Sequence, residues 1–284
     1  MLTNQIIDAA VSAALAEDAP WGDITSETLI PENATATAVM QARVSGVMAG
    51  GQVFRRAFEL VDASVAVDLL VEDGTAFAAG TELARVSGPA RAILTAERTA
   101  LNFVQRMTGI ATATAEYVAK VAGTGARIVD TRKTTPGLRA FEKYSVRCGG
   151  GHNHRFGLSD AVMAKDNHLA ILTQGGKDLT TELKRVRAEL GHTTHLEVEV
   201  DSLSQLPSVL AAGVDTIMLD NFSLEDLRAG VQMIAGAAVV EASGGVNLST
   251  VRAIAETGVD VISVGALTHH IAALDLGLDV QVRV

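Results

Sequence analysis

The chain has 284 residues, 48% hydrophobic and 20% charged, which allows one large α/β domain or two smaller ones and excludes a disordered chain. A net charge of −10 and an aromatic content of 4% argue against a nucleic-acid partner. The single cysteine excludes a disulfide scaffold and a thiolate zinc site; Cys148 reads as a small buried residue.

Residues 4–17 form an amphipathic pattern, with Ile6, Ile7, Ala10, Ala14 and Leu15 on or near one helical face. Trp21, Gly22 and Asp23 read as a loop. From Ala34 to about Leu83 the pattern is β-like, punctuated by Gly46, Gly50, Gly51, Gly74 and Gly80 and interrupted by a helix at 52–60. A long helical stretch over 93–122 follows, a bridge between domains. No apolar run reaches the roughly 18 residues of a membrane span. The N-terminal stretch has no basic flank and is broken by Asp8, Glu17 and Asp18, so no signal peptide and a cytoplasmic location are expected.

After residue 126 the texture changes. Short apolar runs end near residues 132, 166, 200, 220, 244 and 265, with helical segments between the later ones. Strand–helix alternation of this kind predicts parallel β/α units. An open doubly wound sheet is one solution. Chemically versatile residues at nearly every strand end favour a β/α barrel, and six clear strands make it incomplete. The tail LDLGLDVQVRV alternates like a strand and is expected to return to the first domain.

The charge is uneven. Residues 127–177 hold 9 Lys/Arg against 4 Asp/Glu, while both flanking regions are acidic. Arg132, Lys133, Arg139, Lys143, Arg147 and Arg155 lie close together, interleaved with Thr and Gly rather than with a helical apolar stripe. The pattern favours an anion pocket over a solvated basic face.

The strand ends offer Arg132 and Lys133, then Lys165, Glu199, Asp220, Ser243 with Gly244 and Gly245, and Gly265. In a barrel these converge on one mouth. Glu199 and Asp220 suit magnesium ligands, acid/base groups or ribose-hydroxyl acceptors; structural salt bridges are the plainer alternative. The turns EASGGV and SVGAL suit phosphate cradles or simple tight turns. GGGHNH offers either a metal site or hydrogen-bond donors to an anion. Zinc-protease and serine-hydrolase motifs are lacking.

Six runs, TAERTALNFVQRMTGIAT, DTRKTTPGLRAFEKYSVRCGGGHNHRFGLSDAVMAKDNH, LEVEVDS, IMLDN, EASGGV and SVGALTH, resemble the quinolinate phosphoribosyltransferase family in order along essentially the whole chain. The resemblance implies a pentosyltransferase of NAD biosynthesis, a nicotinate-nucleotide diphosphorylase (carboxylating). It would join quinolinate to phosphoribosyl pyrophosphate with Mg²⁺, releasing pyrophosphate and CO₂. The fold implied is α/β: an N-terminal α+β sandwich domain over 1–110, to which 272–284 can return, and an incomplete, about seven-stranded β/α barrel over 111–271.

The resemblance further implies a homodimer or dimer-based oligomer with shared active sites, in which Arg98 reaches quinolinate across the interface. Arg132, His154, Arg155 and Lys165 match its other quinolinate positions. Lys133, Glu199, Asp220, Ser243, Gly244, Gly245, Gly265 and His269 match the phosphoribosyl pyrophosphate side. Of these, Lys133, Glu199 and Asp220 carry catalysis, and Glu199 and Asp220 hold the metal, largely through substrate phosphates. Ser159 where the family often has Tyr, and Ala164 in MAKDNH, are small departures beside Lys165. Three other readings remain: a paralogous phosphoribosyltransferase for another pyridine or aromatic acid, a Schiff-base lyase through Lys165, and a non-catalytic anion binder.

Overall fold

The computed structural model describes residues 2–283, so Met1 and Val284 lie outside the described residues. The chain opens with helices α1 (Asn4–Asp18) and α2 (Ile24–Leu29), strands β1 (Thr35–Ala42) and β2 (Gly46–Val47), and helix α3 (Gly51–Val61). Strands β3 (Ala66–Leu69), β4 (Ala76–Phe77) and β5 (Glu82–Pro89) lead into the long helix α4 (Ala90–Lys120). Then come β6 (Arg127–Val129), α5 (Arg139–Cys148), β7 (Ala161–Ala164), α6 (Asp166–Leu172), α7 (Leu179–Glu189) and β8 (His195–Val200). The remainder is α8 (Leu206–Ala211), β9 (Thr216–Asp220), α9 (Leu224–Ile234), β10 (Val239–Ser243), α10 (Val251–Ala255), β11 (Val261–Ser263), α11 (Ala266–His269) and β12 (Leu276–Arg283).

These elements form two compact units. The first comprises Met1–Ala115, Thr134–Gly150 and Leu267–Val284; the second comprises Glu116–Lys133 and Gly151–Ala266. The first is built on an antiparallel sheet of order β12-β1-β5-β3. Alternation along β1 turns Ala36, Ala38, Met40 and Ala42 inward. Helix α3 adds Val53, Phe54, Ala57 and Phe58 to the same core, and α1 adds Ile7 and Val11. Phe54 and Phe58 meet edge to face, 5.0 Å between centroids, and burying each contributes about 1.5–3 kcal/mol. The tail returns as expected: β12 pairs with β1 from Thr35↔Arg283 to Ala42↔Leu276.

Helix α5 corrects one expectation. Arg139, Lys143 and Arg147 are not loop residues among Thr and Gly; they lie four residues apart on a helix of the first unit. Four-residue spacing is one helical face, and Phe141 and Val146 are buried from the same helix. Phe141 packs on Phe103 at 5.4 Å. Glu142, 1% exposed, takes Arg106 at 2.5 Å, and its other oxygen accepts the Thr135 N–H at 3.1 Å. The Tyr144 hydroxyl donates to Asp73 at 2.7 Å. Cys148 is only half-buried; burial, then the charge of Asp73, pushes its thiol up to about 12, which leaves it unreactive at neutral pH.

The second unit is a parallel sheet of order β6-β11-β10-β9-β8-β7. An isolated parallel bridge, Val129↔His152, occupies the other edge of β6. The seven strands expected are thus six strands and a bridge. Leu196, Val198, Ile217, Leu219, Val240 and Ala242 are buried apolar residues of its strands, and alternation sets Glu197, Glu199, Met218, Asp220, Glu241 and Ser243 on the opposite face. Strand starts are tied by carboxylates. Asp215 accepts the Leu196 N–H at 2.7 Å, and Asp260 accepts the Val240 N–H at 2.8 Å.

Candidate active site

The carboxyl ends of these parallel strands gather the predicted groups of the second unit. Beyond β6, Asp130 is fully buried; its carboxylate accepts the His154 N–H at 2.9 Å and the Asn153 amide at 2.6 Å. Arg132 and Lys133 follow, both exposed, and the Lys133 N–H donates to Thr131 Oγ1 at 3.0 Å. The Arg155 guanidinium is anchored on the Ala161 carbonyl at 3.0 Å and beside Met163 Sδ at 3.6 Å. Its pKa is held below the ordinary arginine value, first by burial and then by the charge of Arg132, against the pull of Glu197 and Asp160. Two guanidiniums that repel one another form a site that an anion relieves. Asp160 folds the loop beside them by accepting the Phe156 and Gly157 N–H groups at 2.7 and 2.8 Å.

His154 reaches inward. Its Nε2 lies 3.2 Å from Glu197 Oε2 and 3.4 Å from Glu241 Oε2, both glutamates being 3% exposed. Its Nδ1 accepts the Arg155 N–H at 2.7 Å. Burial works against charge on the ring, yet the bonds to Glu197 and Glu241 outweigh it and push the His154 pKa up to about 10. The Glu197 pKa is also raised, by burial first and by Glu241, with His154 opposing. Both shifts favour a proton within the trio.

Across neighbouring strands, Lys165 Nζ meets Glu199 Oε2 at 2.5 Å. Asp220 ends β9, and its Oδ2 accepts the Asn221 side-chain amide at 2.6 Å. Asn221 is left-handed, φ 57°, a conformation that asparagine tolerates better than most residues. Its N–H donates to the Ser243 carbonyl at 2.9 Å. Beside it Gly244 has φ +90°, and a Cβ there would collide with Asn221 Oδ1. Gly245 has φ +62° with open space around it. The turn after β10 therefore exposes backbone where an anion can approach closely. Gly265 follows β11 by two residues.

Arg132, Lys133, His154, Arg155, Lys165, Glu199, Asp220, Ser243, Gly244, Gly245 and Gly265 thus share one unit, whereas Arg98 and His269 belong to the other. Arg98 is exposed on α4, and His269 ends α11 with its ring 4.2 Å from that of His270.

Residues 23–108 match the family described as quinolinate phosphoribosyl transferase, N-terminal domain, and residues 110–279 its C-terminal domain. This chain belongs to the quinolinate phosphoribosyltransferase family. It is 44% identical over 291 residues to the nicotinate-nucleotide pyrophosphorylase [carboxylating] of Mycobacterium leprae, covering 98% of this chain and 100% of that protein. It is 40% identical over 294 residues to the chloroplastic enzyme of the same name from Arabidopsis thaliana, covering 97% of this chain and 83% of that protein. The crystal structure of NadC from Streptococcus pyogenes superposes with a TM-score of 0.94 at 40% identity, over 100% of this chain and 99% of that one. The expected fold, an α+β domain with a TIM-like barrel, is the fold of this phosphoribosyltransferase family.

Sequence reasoning passed over Asp130, Glu197, Glu241 and Asn221. Period-two alternation was the available signal: in LEVEV it sets Glu197 on the face of Glu199, and in EAS it sets Glu241 on the face of Ser243.

Proposed function

We propose that this chain transfers the phosphoribosyl group of phosphoribosyl pyrophosphate to quinolinate with loss of CO₂, giving nicotinate mononucleotide and pyrophosphate. The observation that carries the reading is that Arg132, Arg155 and Lys165 share one unit, with the Arg155 guanidinium held on the Ala161 carbonyl and Met163 Sδ. A pyridine dianion answers that arrangement, since guanidinium forks take planar carboxylates two-pronged. Arg98 joins them from a second copy in this reading. The homodimer is supported by a patch of exposed apolar side chains at the N-terminus: Trp21 92%, Ile24 75% and Leu29 71% exposed. A cytoplasmic setting is part of the same reading, supported by the single cysteine.

The pyridine nitrogen attacks the anomeric carbon as pyrophosphate leaves, through an oxocarbenium-like state. Glu199 and Asp220 oppose the developing positive charge and accept ribose hydroxyls, an electrostatic contribution of several kcal/mol in comparable sites. Lys133 and the N–H groups around Gly244, Gly245 and Gly265 take the departing phosphates. Two hard carboxylates at adjacent strand ends fit Mg²⁺, with substrate phosphates completing its shell; the ion would neutralise phosphate charge. No protein base is required for decarboxylation, because the pyridinium ring is the electron sink. Arg132, Arg155 and Lys165 only have to hold the carboxylates in place.

The test is an assay with Mg²⁺ and phosphoribosyl pyrophosphate, with quinolinate and nicotinate offered in parallel. Mononucleotide and CO₂ from quinolinate, with little product from nicotinate, are expected. Silence with quinolinate and turnover of another aromatic acid would sink the reading.

A further inference from the structure

Three buried carboxylates converge on the dipeptide His154–Arg155. Asp130 takes the His154 N–H at 2.9 Å, and Glu197 and Glu241 face its Nε2 at 3.2 and 3.4 Å. They come from the end of β6, from β8 and from β10. Buried acids of this kind stabilise a fold less than apolar residues of similar volume would. Here Oε1 of Glu197 and Oε1 of Glu241 are buried and accept no hydrogen bond, which raises that cost further. Stability alone does not account for them.

The side chains of His154, Glu197 and Glu241 also stand close enough to ligate a cation, with ligand atoms within 4.8 Å of one another. The hydrogen bond from the Arg155 N–H to Nδ1 argues otherwise. It keeps the ring lone pair at Nδ1, so Nε2 carries hydrogen and donates to the glutamates instead of binding a metal.

We propose that Glu197 and Glu241 are positioning residues for the acid substrate: they fix the His154 ring, which through Nδ1 fixes the backbone of Arg155 and so the direction of its guanidinium. The chain of contacts is continuous. The carboxylates hold Nε2, the ring turns Nδ1 toward the Arg155 N–H, and the Ala161 carbonyl and Met163 Sδ hold the far end of the Arg155 side chain. A guanidinium has five donors, which leaves donors for a substrate carboxylate. Both ring nitrogens of His154 are thereby engaged within the protein, so the ring acts on the acid through Arg155. The inference rests on the reading that Arg132 and Arg155 bind the acid.

The experiment compares the full-length protein with Glu197→Gln and Glu241→Gln, varying quinolinate and phosphoribosyl pyrophosphate separately. In each variant KM for quinolinate rises about tenfold or more, while KM for phosphoribosyl pyrophosphate moves less than about twofold; Glu241→Asp recovers part of the loss. Unchanged KM for quinolinate, or equal loss for both substrates with a lowered Tm, overturns the positioning role. Nitrogen-15 spectra of the histidine rings in the unsubstituted protein serve where a variant does not fold. Hydrogen on Nε2 of His154 and a lone pair on Nδ1 are expected, and hydrogen on Nδ1, in the opposite tautomer or in the imidazolium, overturns the proposal. Absent quinolinate turnover by the unsubstituted protein overturns the functional reading itself, whereas normal turnover with unaltered variants overturns the positioning role alone.

Discussion

Lys165 and Glu199 form an ion pair across adjacent strands, the ammonium nitrogen 2.5 Å from Oε2. The Lys165 side chain is 44% exposed and that of Glu199 15%, so solvent can reach the pair and it can open. In the proposed reaction the two groups serve different substrates, and the pair holds both until substrates replace it.

Substitution should therefore separate the two roles. Lys165→Met is expected to raise KM for quinolinate at least about tenfold. Glu199→Gln is expected to lower kcat about 10²-fold or more, the scale for losing one transition-state contact, with a smaller change in quinolinate affinity. Steady-state kinetics and direct quinolinate titration check both. A kcat effect confined to Lys165→Met would reverse the assignment.

Arg132 gives a prediction about binding. Its charge works against the ionised form of Arg155, and a bound dianion would balance the two. Arg132→Met should weaken quinolinate binding at least about tenfold. Quinolinate should raise Tm of the unsubstituted protein through linkage and raise that of the variant much less. Thermal melts with and without quinolinate decide this, and an equal shift in both proteins would refute it.

Most of the fold could be read from period and punctuation. The strand ends at 200, 220 and 243 agree with the apolar runs of the sequence, near-continuous in TIML and alternating with glutamates in LEVEV. β6 stops at Val129, three residues before the expected 132, since the chain there turns to bury Asp130. Helix α5 was hidden because its charged face, Arg139, Lys143 and Arg147, resembles a basic loop when Phe141 and Val146 are not counted with it. Asp130, Glu197 and Glu241 were hidden for another reason: sequence shows that an acid shares a face with a site residue, but not that three such acids meet on one histidine. Asn221 was hidden because a left-handed φ has no marker except the residue type.

Gly244 and Asn221 supply the next prediction. Gly244 has φ +90°, and a Cβ would strike the Asn221 side chain that holds Asp220. Gly244→Ala should cost about 1–3 kcal/mol of stability from backbone strain and should raise KM for phosphoribosyl pyrophosphate. Asn221→Gly tests the other half, because glycine keeps the left-handed backbone and loses only the amide. It should lower kcat with little change in Tm. Denaturant melts with kinetics for both substrates check the pair; normal kcat in Asn221→Gly would remove Asn221 from any role in holding Asp220.

The last prediction concerns pH and lies at the other end of the strands. Asp215 accepts the Leu196 N–H and takes Arg187 in a two-pronged bond at 2.6 and 2.9 Å. Burial raises its pKa, but Arg187 and the Leu196 N–H outweigh it, and the net value lies below the ordinary 3.8. A carboxyl with a depressed folded-state pKa stabilises the fold fully above its unfolded value, where it is ionised in both states. It loses that contribution as pH falls through the folded value, where it is protonated in both. Arg187→Met removes the main cause of the depression, so the stability gap between the unsubstituted protein and the variant should be constant between pH 6 and pH 7. It should narrow as pH drops below about 4. Urea melts across that range measure the gap directly. A gap that widens on acidification would mean that Asp215 binds its proton more tightly in the folded chain than in the unfolded one, and the bond to Arg187 would then not be what ties α7 to the start of β9.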